Sequence, residues 1–523
     1  MVYPEFSRAT RVQKLAELSQ SSAPVYDAVV IGGGIVGAGL LRELAIRGVN
    51  ALLVEKKDFA SGTSSKSSKL VHGGLRYLEM FDFGLVFEAL SERHWLLKTH
   101  PHLVSPMEFV LPIYKKGEAP VGARSSALLG LGLWVYDALS LFRTPFFHGR
   151  HSLDTLKGLF PGVRAQGLRG GYYYADAMML DDELVLEVLL DSVRRGACAL
   201  NYCAATRVDP RDRDGLYRIH LETCDPAVSP PPNEQSASES LQVRAREVIM
   251  CVGPWTEEVS GIVAGGAQKK LRPSRGVHLV LDWARLPVER CLVMYAPDGR
   301  IIFAIPRKDL GDEAAVTIVG TTDAPEHGAI DQVEATSDDV EYLFGVLKEY
   351  FPNSKLAKSD VLMTYAGVRP LIDDGAENEA KTSREHEIWK NEQGVVFMAG
   401  GKYTTFRKIS EEIADFAFPR SKSDAKESRQ PLSTPDDYAK RFSGAPLWGR
   451  FTEGWVEWKL KHHAPLCLDD VVFRRLPLWM HGQKIPKDVI ERIQSISAKT
   501  WNQTSMSGQA NQTREHIARA FQW

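Results

Sequence analysis

The sequence predicts a mixed α/β protein with an N-terminal unit of parallel strands and helices, an antiparallel sheet in the middle of the chain and a small helical unit at the C-terminus. Residues 26–34 form an apolar, β-rich run that ends in glycines, residues 38–47 contain good helix formers, and residues 51–55 have the pattern of a second buried strand. These three segments make a βαβ unit. A chain of 523 residues also exceeds what one hydrophobic core usually serves, so several structural units are expected.

The rest of the chain shows a helix, then strands, then helices again. Residues 181–195 have the spacing of an amphipathic helix, and residues 224–240 are rich in Pro, Ser and Glu, which predicts a surface loop. A polar linker, PRSKSDAKESRQPLSTPDD, precedes helix-like segments that reach Trp523. The predicted strands, separated by turns, are residues 201–208, 217–222, 243–252, 277–281, 301–305 and 315–319.

Composition excludes several classes of function. Lys plus Arg total 64 and Asp plus Glu total 66, so no overall field would concentrate nucleic acid, and any anion site must be local. The six cysteines contain no CxxC pair and no metal-ligand spacing, so we expect neither disulfides nor a metal site. The first residues lack an apolar segment behind a basic start, so we expect nothing that directs export.

One apolar stretch, residues 127–142 (ALLGLGLWVYDALSLF), stands out. Asp137 interrupts it, and no stretch of the chain reaches the roughly 18 to 20 apolar residues that span a bilayer. With Arg124 and Arg143 at its ends and Trp134 within it, the segment fits either a buried core helix or a helix that lies in a membrane interface.

A glycine fingerprint follows the first strand. Gly32, Gly34 and Gly37 form GxGxxG, in which the missing side chains allow a tight turn and the close approach of a pyrophosphate to a helix N-terminus. Glu55 ends the second strand, where it can accept hydrogen bonds from a ribose. Within the βαβ unit the pattern predicts a Rossmann-like dinucleotide domain; the alternative is a glycine-rich turn.

FAD and NAD share this fingerprint, and the next motifs favour FAD. Residues 62–79 (GTSSKSSKLVHGGLRYLE) are dense in hydroxyl groups, small residues and cations, which suit ribityl and pyrophosphate oxygens. Residues 399–406 (AGGKYTTF) form a second glycine-rich segment far downstream, which could return to the same extended cofactor. Composition alone leaves NAD open.

Several motifs together resemble those of the FAD-dependent glycerol-3-phosphate dehydrogenase and oxidase family, within the D-amino-acid-oxidase-like flavin superfamily. They occur in family order over residues 5–415: FSRATR, IGGGIVGAG, GTSSKSSKLVHGGLRYLE, CVGPW, GTTD, YAGVRPL and GGKYTTFRK. LDDVVFRRLPLW (residues 468–479) resembles a helix of the family's C-terminal domain, which is shorter than usual here. Val36 departs from the pattern, since many members carry a polar residue there.

The resemblance implies a domain plan and a set of cofactor contacts. It implies an FAD-binding domain made of residues 20–98, 178–268 and 366–420, and a substrate-binding domain made of residues 99–177 and 269–365. Residues 124–147 would be a membrane-facing segment, and residues 430–523 a helical C-terminal domain. The residues expected to contact FAD are Gly32, Gly34, Ile35, Gly37, Glu55, Lys56, Thr63, Ser64, Ser65, Lys69, Leu70, His72, Gly73, Gly74, Val208, Gly253, Trp255, Gly401, Lys402, Thr404 and Thr405.

The resemblance also implies a phosphate-binding group of cations. Its expected members are Arg76, Arg369, Arg384 and Lys402, with Tyr77 as an added hydroxyl donor. A phosphate dianion needs several fixed N–H donors, and arginine can bind it with two of them. Taken singly, any of these cations could be an ordinary surface charge.

Three residues are expected to take part in the chemistry. His278 resembles the family histidine beside the flavin and could accept the C2 hydroxyl proton; His72 is the second candidate. Arg369 could stabilise the developing alkoxide. A histidine on a strand could instead be a packing residue, and Thr322 and Asp323 could shape the same pocket or only a turn.

The implied reaction is the oxidation of sn-glycerol 3-phosphate to dihydroxyacetone phosphate, with hydride transfer to flavin N5 and electrons passed to a membrane quinone. The protein would be cytoplasmic, attached peripherally to the inner face of the cytoplasmic membrane, and a homodimer is considered. Three alternatives stay open: an oxidase that reduces O2 to H2O2, a flavin amine oxidase, and an assembly factor that holds FAD without catalysis.

Overall fold

The computed structural model describes most of the chain. The residues that it describes are 5–20, 24–79, 81–118, 120, 126–224, 226, 239–268, 271–308, 311–373, 385–422, 424–432, 438–476, 478–501 and 509–519. The predicted loop at residues 224–240 therefore falls mainly outside the described residues, as does Arg124.

The strands and helices follow one another in the mixed order that the sequence predicts. The strands are β1 (Val25–Ile31), β2 (Ala51–Val54), β3 (Leu70–Val71), β4 (Val104–Tyr114), β5 (Gly149–His151), β6 (Leu168–Met179), β7 (Cys198–Leu200), β8 (Cys203–Asp209), β9 (Tyr217–Thr223), β10 (Glu239–Met250), β11 (Leu271–Asp282), β12 (Cys291–Tyr295), β13 (Ile301–Arg307), β14 (Val316–Gly320), β15 (Ala324–Pro325), β16 (Val361–Ile372), β17 (His386–Lys390), β18 (Val396–Gly400), β19 (Pro446–Trp448) and β20 (Phe451–Thr452). The helices are α1 (Arg8–Leu18), α2 (Ile35–Ile46), α3 (Leu75–Glu79), α4 (Phe83–Thr99), α5 (Ser126–Leu139), α6 (Leu153–Leu159), α7 (Asp181–Arg194), α8 (Ser337–Tyr350), α9 (Phe406–Ala417), α10 (Ala425–Ser428), α11 (Glu453–His462), α12 (Leu468–Asp470), α13 (Lys487–Thr500) and α14 (Gln509–Arg519).

The first sheet carries the N-terminal βαβ unit. Its strand order is β17–β18–β10–β1–β2–β7, and β18, β10, β1, β2 and β7 run parallel. The antiparallel pair β8–β9 joins it through β10. All four residues of β2 are buried, which is typical of a parallel strand that is covered on both faces. Helices α2, α7 and α9 pack together against this sheet.

Helix α7 lies within residues 181–195, for which the spacing predicts an amphipathic helix. Nearly all of its side chains are buried, including its carboxylates, because cations from distant segments cover its acidic face. Arg42 Nε donates to Asp191 Oδ2 at 2.7 Å, and Lys459 Nζ donates to Glu183 Oε1. The spacing of the apolar residues predicted the helix, and the structure shows that carboxylates on its polar face form buried ion pairs.

The second sheet is mainly antiparallel, as predicted for the middle of the chain. Its order is β15–β11–β14–β13–β12–β4–β6–β3, with β16 paired to β11 and β5 to β6. In the β11–β16 ladder His278 faces Tyr365, and Ser274 faces Arg369. Because side chains alternate between the faces of a strand, His278 and Arg369 lie on the same face of the sheet. β16 reaches Ile372, so residues 366–372, which the sequence analysis places in the FAD-binding domain, pair with β11 of this sheet.

The C-terminal unit contains the β19–β20 hairpin as well as helices α11 to α14. It is fixed to the first unit through Asp58, which accepts hydrogen bonds from the guanidinium groups of Arg474 and Arg475. Trp479 packs edge-on against Tyr365, with the ring centroids 5.3 Å apart. The unit therefore contacts both sheets.

The described part of the polar linker is packed against the first unit. The backbone oxygen of Ser428 accepts from Arg42 Nη1 at 2.9 Å, and the Ser428 hydroxyl oxygen accepts from Arg407 Nη1 at 3.1 Å. Buried arginines on α2 and α9 thus use oxygens of this linker as acceptors.

Helix α5, which contains most of the apolar stretch, is buried on one side and exposed on the other. Leu133 and Tyr136 are buried, whereas Leu131 and Trp134 are each 63% exposed. Among the described residues, no helix is long and apolar enough to cross a membrane.

Candidate active site

One large cleft lies between the carboxyl ends of β1 and β2 and a face of the second sheet. It holds about 490 Å³ of space, within the range of cofactor and ligand pockets. Its described lining includes the cations Lys56, Lys57, Lys66, Arg300, Arg369 and Lys402 and the carboxylates Glu55, Asp176, Asp323 and Asp331. Cations exceed carboxylates, so the cleft favours an anion.

The glycine fingerprint forms the turn from β1 into α2. Gly32 has φ +111°, and a Cβ there would lie 2.4 Å from the backbone oxygen of Cys251. A Cβ on Gly37 would lie 1.9 Å from the oxygen of Gly32, so α2 can start this close to the turn only because both side chains are missing. The N-terminus of α2 thus faces the cleft with its amide donors.

Glu55 and Ser64 fix this turn. Gly33 N donates to Glu55 Oε2 at 2.7 Å, Lys57 N donates to Glu55 Oε1 at 2.9 Å, and Ile35 N donates to Ser64 Oγ at 2.9 Å. Burial raises the pKa of Glu55 above its usual value. A turn, an acidic residue at the end of β2 and a helix N-terminus are the parts that hold an adenosine diphosphate moiety.

The cleft extends beyond what a mononucleotide needs. Lys56 Nζ lies 5.0 Å from the ring centroid of Trp255, and both residues line the cleft together with Gly401, Lys402 and Thr404. The AGGKYTTF segment reaches the cleft because β18 lies beside β10, next to the strand that precedes the glycine turn. Two glycine-rich segments, far apart in sequence, thus line one cleft, and these residues fit an extended cofactor such as FAD.

Arg369 lies in the cleft and is held by neighbouring side chains. Its Nη1 donates to Asp323 Oδ1 at 3.2 Å and its Nη2 donates to Thr321 Oγ1 at 3.2 Å. A Cβ on Gly276 would lie 2.5 Å from Nη2, so the glycine provides room for the guanidinium. Arg369 keeps 22% side-chain exposure.

A second cation approaches from the first sheet. Lys402 Nζ lies 3.6 Å from the centroid of the Tyr77 ring, a cation–π contact, and both residues line the cleft. Arg300 also lines it and donates from Nη1 to the backbone oxygen of Asp323 at 2.6 Å. Cations from three separate segments therefore surround one space.

His278 is buried at the edge of this space. Its ring stacks on Tyr365 at 4.6 Å with an 11° interplanar angle, and its Nε2 lies 2.8 Å from Ser68 Oγ. Within the described part of the chain, Nδ1 has no hydrogen-bond partner. Burial, followed by the charges of Arg369 and Lys69, lowers the pKa of His278 well below 6.5, so the ring is neutral at pH 7.

A buried cluster supports the loop that contains His72. Gly73 N donates to Tyr136 Oη at 3.0 Å and to Asp176 Oδ1 at 3.2 Å, and Tyr136 Oη donates to Asp176 at 2.9 Å. Arg93 Nη1 completes the cluster at 2.6 Å from Asp176. His72 itself lines the cleft.

The structure gathers most of the residues selected from the sequence around this cleft. Those that line it are Gly32, Gly34, Ile35, Glu55, Lys56, Thr63, Ser64, Leu70, His72, Gly74, Tyr77, Gly253, Trp255, His278, Arg369, Gly401, Lys402 and Thr404. Arg384 and the side chain of Arg76 lie outside the described residues.

Six selected residues lie behind the lining. Lys69 Nζ is buried and lies 2.5 Å from Asp181 Oδ1, and Val208 packs in the core beside β9. Gly73 bonds to the Tyr136–Asp176 cluster, and Gly37 backs the glycine turn. Ser65 Oγ and Thr405 Oγ1 donate to backbone oxygens nearby.

Other lining residues were not selected from the sequence. Ser68 lies within the hydroxyl-rich motif, so the motif itself could have pointed to it. Arg300, Tyr295 and Phe303 come from β12, β13 and the turn between them, where no motif marks them. Only the sheet register brings them to the cleft.

Comparison with known proteins identifies the family. The family model described as FAD dependent oxidoreductase matches residues 27–406, well over half of the chain. The chain belongs to the FAD-dependent oxidoreductase family. The family resemblance drawn from the motifs is confirmed, and FAD is the cofactor.

Relatives of this FAD-dependent oxidoreductase carry a more specific name. This chain is 35% identical over 415 residues to a glycerol-3-phosphate dehydrogenase of Synechocystis sp., and the match covers 76% of this chain and 71% of the relative. It is 32% identical over 434 residues to the aerobic glycerol-3-phosphate dehydrogenase of Bacillus subtilis, covering 83% and 74%.

Solved structures share the fold of this FAD-dependent oxidoreductase. The glycerol-3-phosphate dehydrogenase from Bacillus halodurans, complexed with FAD, has a TM-score of 0.73 at 23% identity, covering 99% of this chain and 98% of that one. An L-α-glycerophosphate oxidase from Mycoplasma pneumoniae with FAD bound has a TM-score of 0.55 at 16% identity, covering 78% and 98%. The predicted fold class is therefore confirmed. In the described ranges, no group of three or more His, Cys, Asp and Glu side chains could hold a metal ion.

Proposed function

We propose that this FAD-dependent oxidoreductase oxidises sn-glycerol 3-phosphate to dihydroxyacetone phosphate and passes the electrons to a membrane quinone. The observation that carries the proposal is the convergence of Arg369, Lys402 and His278 on the cleft that begins at the glycine turn. The names of the relatives in Synechocystis and Bacillus support the choice of substrate.

The cations suit a small phosphate ester. Arg369 presents a planar fork of N–H donors, and Asp323 and Thr321 hold that fork in place, so little side-chain freedom is lost on binding. Lys402, held over the ring of Tyr77, adds a point charge. The proposed phosphate site is the space between these groups.

The proton of the C2 hydroxyl needs an acceptor, and His278 supplies one. FAD, when bound, supplies the two-electron oxidant that accepts the C2 hydride. If Nε2–H of His278 donates to Ser68 Oγ, its Nδ1 carries a lone pair that can take the hydroxyl proton. The nearby charge of Arg369 would stabilise negative charge that develops on the C2 oxygen.

Ser68 and Tyr365 orient this histidine. Ser68 fixes one ring nitrogen, the stacked ring of Tyr365 fixes the plane, and the hydroxyl of Tyr365 donates to Ser67 O at 3.0 Å. The imidazole therefore has one orientation before substrate enters, which is the condition for efficient proton transfer.

An apolar surface patch supports quinone as the acceptor. It lies on α5, on the loop after it, and on the neighbouring turn that leads from α3 into the first residue of α4, with aromatic and aliphatic side chains 45% to 77% exposed. Its members are Phe81, Phe83, Leu131, Trp134, Leu141, Phe142 and Phe147. Exposed large side chains in one area suit the lipid interface of a membrane, at the inner face of which we propose peripheral attachment.

An anaerobic titration tests the substrate. In the absence of oxygen, glycerol 3-phosphate added to the FAD-loaded protein should bleach the absorbance of the oxidised flavin. Glycerol, which lacks the phosphate, should leave that absorbance unchanged. An unchanged spectrum would overturn the proposal and favour a protein that holds FAD without catalysis. Bleaching by an amine such as glycine, but not by glycerol 3-phosphate, would favour an amine oxidase.

A second measurement separates the acceptors. Without detergent, the reduced protein should transfer electrons to a soluble quinone analogue much faster than it forms hydrogen peroxide in air. Peroxide formation that keeps pace with quinone reduction would identify an oxidase.

A further inference from the structure

The segment between β15 and α8, residues 326–336 and here called the strap, reaches the cleft from the second sheet. It starts from that sheet because β15 pairs with β11. Ile330 and Asp331, near the middle of the strap, line the cleft, as do Lys56 and Lys57, which follow β2 of the first unit. The middle of the strap therefore meets the first unit at the cleft.

Both ends of the strap are tied to one arginine of the second sheet. Arg275 Nη1, on β11, donates to Glu326 Oε2 at 2.8 Å, and Arg275 Nη2 lies 3.1 Å from Asp339 Oδ2 in the first turn of α8. Ala335 is buried in a small apolar cluster with Val277 of the same strand. The two ends are therefore fixed close together, which is the arrangement of an Ω-loop.

The middle of the strap is mostly in contact with solvent. Within residues 327–334, all except Ile330 and Val333 are exposed. A segment with few buried apolar contacts can open at a low cost in free energy. The middle of the strap can therefore move away from the cleft while its ends stay fixed.

Two lysines of the first unit hold the middle of the strap. Lys56 Nζ donates to Asp331 Oδ2 at 3.0 Å, and Lys57 Nζ donates to Asp331 Oδ1 at 2.8 Å. Lys56 Nζ also lies 3.8 Å from Glu258 Oε1 and 5.0 Å from the ring centroid of Trp255, so the first unit itself positions this ammonium group. The side chains of Lys56, Lys57 and Asp331 are 33%, 51% and 34% exposed, which places this bridge at the rim of the cleft.

The bridge lies beside the part of the cleft that suits the adenosine diphosphate half of FAD. Lys56 and Lys57 directly follow Glu55, and Lys57 N donates to Glu55 Oε1 at 2.9 Å. Glu55 in turn accepts from Gly33 N in the glycine turn. Exposed ion pairs are individually weak, so a bridge made of two of them can hold the strap and still open often enough for a cofactor to exchange.

We propose that the strap closes over the adenosine half of FAD, and that the bridge from Asp331 to Lys56 and Lys57 opens when the cofactor enters or leaves. Asp331 is thus a positioning residue for the strap. Removing its charge has two effects of opposite sign. Two cations at the cleft lose their counter-charge, which by itself would hold the anionic cofactor more tightly, whereas loss of the bridge lets FAD leave faster.

Exchange of bound FAD for an excess of radiolabelled FAD, measured on the FAD-loaded protein by rapid gel filtration, tests the strap. Asp331→Asn should exchange FAD roughly two- to tenfold faster than the wild type, since two exposed ion pairs are lost. Added salt should speed exchange in the wild type and have little effect in this variant. Asp338→Asn, at an exposed residue just past the strap, is the matched control and should exchange FAD like the wild type. Equal or slower exchange in Asp331→Asn would overturn the proposal.

Three further measurements separate a moving strap from a general loss of stability. Asp331→Glu keeps the charge and should exchange FAD more slowly than Asp331→Asn. Lys57→Gln should speed exchange in the wild type but not in Asp331→Asn, where the bridge is already lost. The unfolding temperature of Asp331→Asn should match that of the wild type; faster exchange together with a lower unfolding temperature would overturn the proposal. Because no turnover is measured, failure of the proposed catalytic function would not affect the result.

Discussion

Arg369 Nη1 lies 3.2 Å from Asp323 Oδ1, so the guanidinium proposed to bind substrate phosphate is already paired with a carboxylate. Asp323 is 6% exposed, whereas Arg369 keeps 22% exposure toward the cleft. The carboxylate therefore positions the arginine, whose side chain remains partly exposed in the cleft. This arrangement makes Arg369 the most direct test of the proposed site.

Replacing Arg369 with alanine should abolish substrate recognition but leave the cofactor in place. The glycine turn is held by hydrogen bonds of Gly33 N to Glu55 and of Ile35 N to Ser64, which do not involve Arg369, so bound FAD, measured by flavin absorbance after gel filtration, should stay at one per chain. Anaerobic bleaching by glycerol 3-phosphate should need at least about a hundredfold more substrate, since the variant loses a charged bidentate contact.

Arg369→Lys provides the matched control. It keeps the charge without the planar fork, and its half-saturating substrate concentration should lie between those of the wild type and Arg369→Ala. Wild-type bleaching in the alanine variant would contradict the assigned role.

The pH dependence of flavin reduction should reveal His278. Because burial and the charge of Arg369 lower its pKa, the neutral form that accepts a proton persists below pH 6.5, and activity is lost only as the pH falls through the lowered pKa. The acid limb of the rate, corrected for the substrate phosphate with its pKa near 6, should therefore lie well below pH 6.5.

Stopped-flow reduction of His278→Asn should be slower by about 10²- to 10⁴-fold with FAD retained. His72→Asn should be much less affected. The reverse ranking would assign the proton acceptor to His72.

Asp58 should be essential for anchoring the C-terminal unit. Although burial opposes ionisation, the guanidinium groups of Arg475 and Arg474 lower its pKa to about 2, so its stabilising charge is present above pH 3.8 and is lost as the pH falls toward 2. Asp58→Asn leaves two arginines beside a neutral group and should cost about 3–5 kcal/mol of stability. Calorimetry at pH 7 should show a lower unfolding temperature; Asp214→Asn, at an exposed pair with Arg244, should shift it little.

Glu187 should destabilise the protein at neutral and higher pH. Burial raises its pKa to about 7, so the folded state favours the protonated form, and stability is lost as the pH rises from 4.5 through 7. Glu187→Gln should therefore be more stable than the wild type at pH 8, by about 1–3 kcal/mol, and similar to it near pH 4.5. Thermal unfolding at both pH values checks this, with exposed Glu457→Gln as the control. A stability difference independent of pH would contradict the prediction.

The apolar surface patch should mediate vesicle binding. Leu131 and Trp134 are mostly exposed, so changing both to serine removes little packing but should weaken co-sedimentation with phospholipid vesicles by about tenfold per side chain. Val12→Ser, at a 54% exposed residue on α1, is a matched control that should bind normally. Equal vesicle binding by all three proteins would exclude the patch as the membrane contact.

Local patterns predicted the parts of this fold that local chemistry determines. The βαβ unit follows from hydrophobic periodicity and the glycine spacing, and the helix at residues 181–194 follows from its spacing. The surroundings of that helix could not be predicted from its spacing, because its carboxylates are paired with Arg42, Lys69 and Lys459, which lie far away in sequence.

The residues of the cleft also fall into those that local motifs predicted and those that only the tertiary structure brings there. Arg369 and Lys402 were selected from motifs, and both line the cleft. Lys69 comes from the same hydroxyl-rich motif as Ser64, but its side chain is buried and pairs with Asp181. Arg300 was missed because only the pairing of β12 with β13 and β13 with β14 brings it beside Asp323. A linear pattern does not specify which long side chain in a motif points to the ligand.

The order of strands in the first sheet has a consequence for how the protein is made. β1 pairs with β10, and β10 pairs with β18, which ends at Gly400. A ribosome adds about 5–20 residues per second, so roughly 20–80 s separate the synthesis of β1 from that of β18. During that interval the parallel sheet has an unpaired apolar edge, first on β1 until β10 is made and then on β10 until β18 is made, and chaperone binding to this edge would protect it.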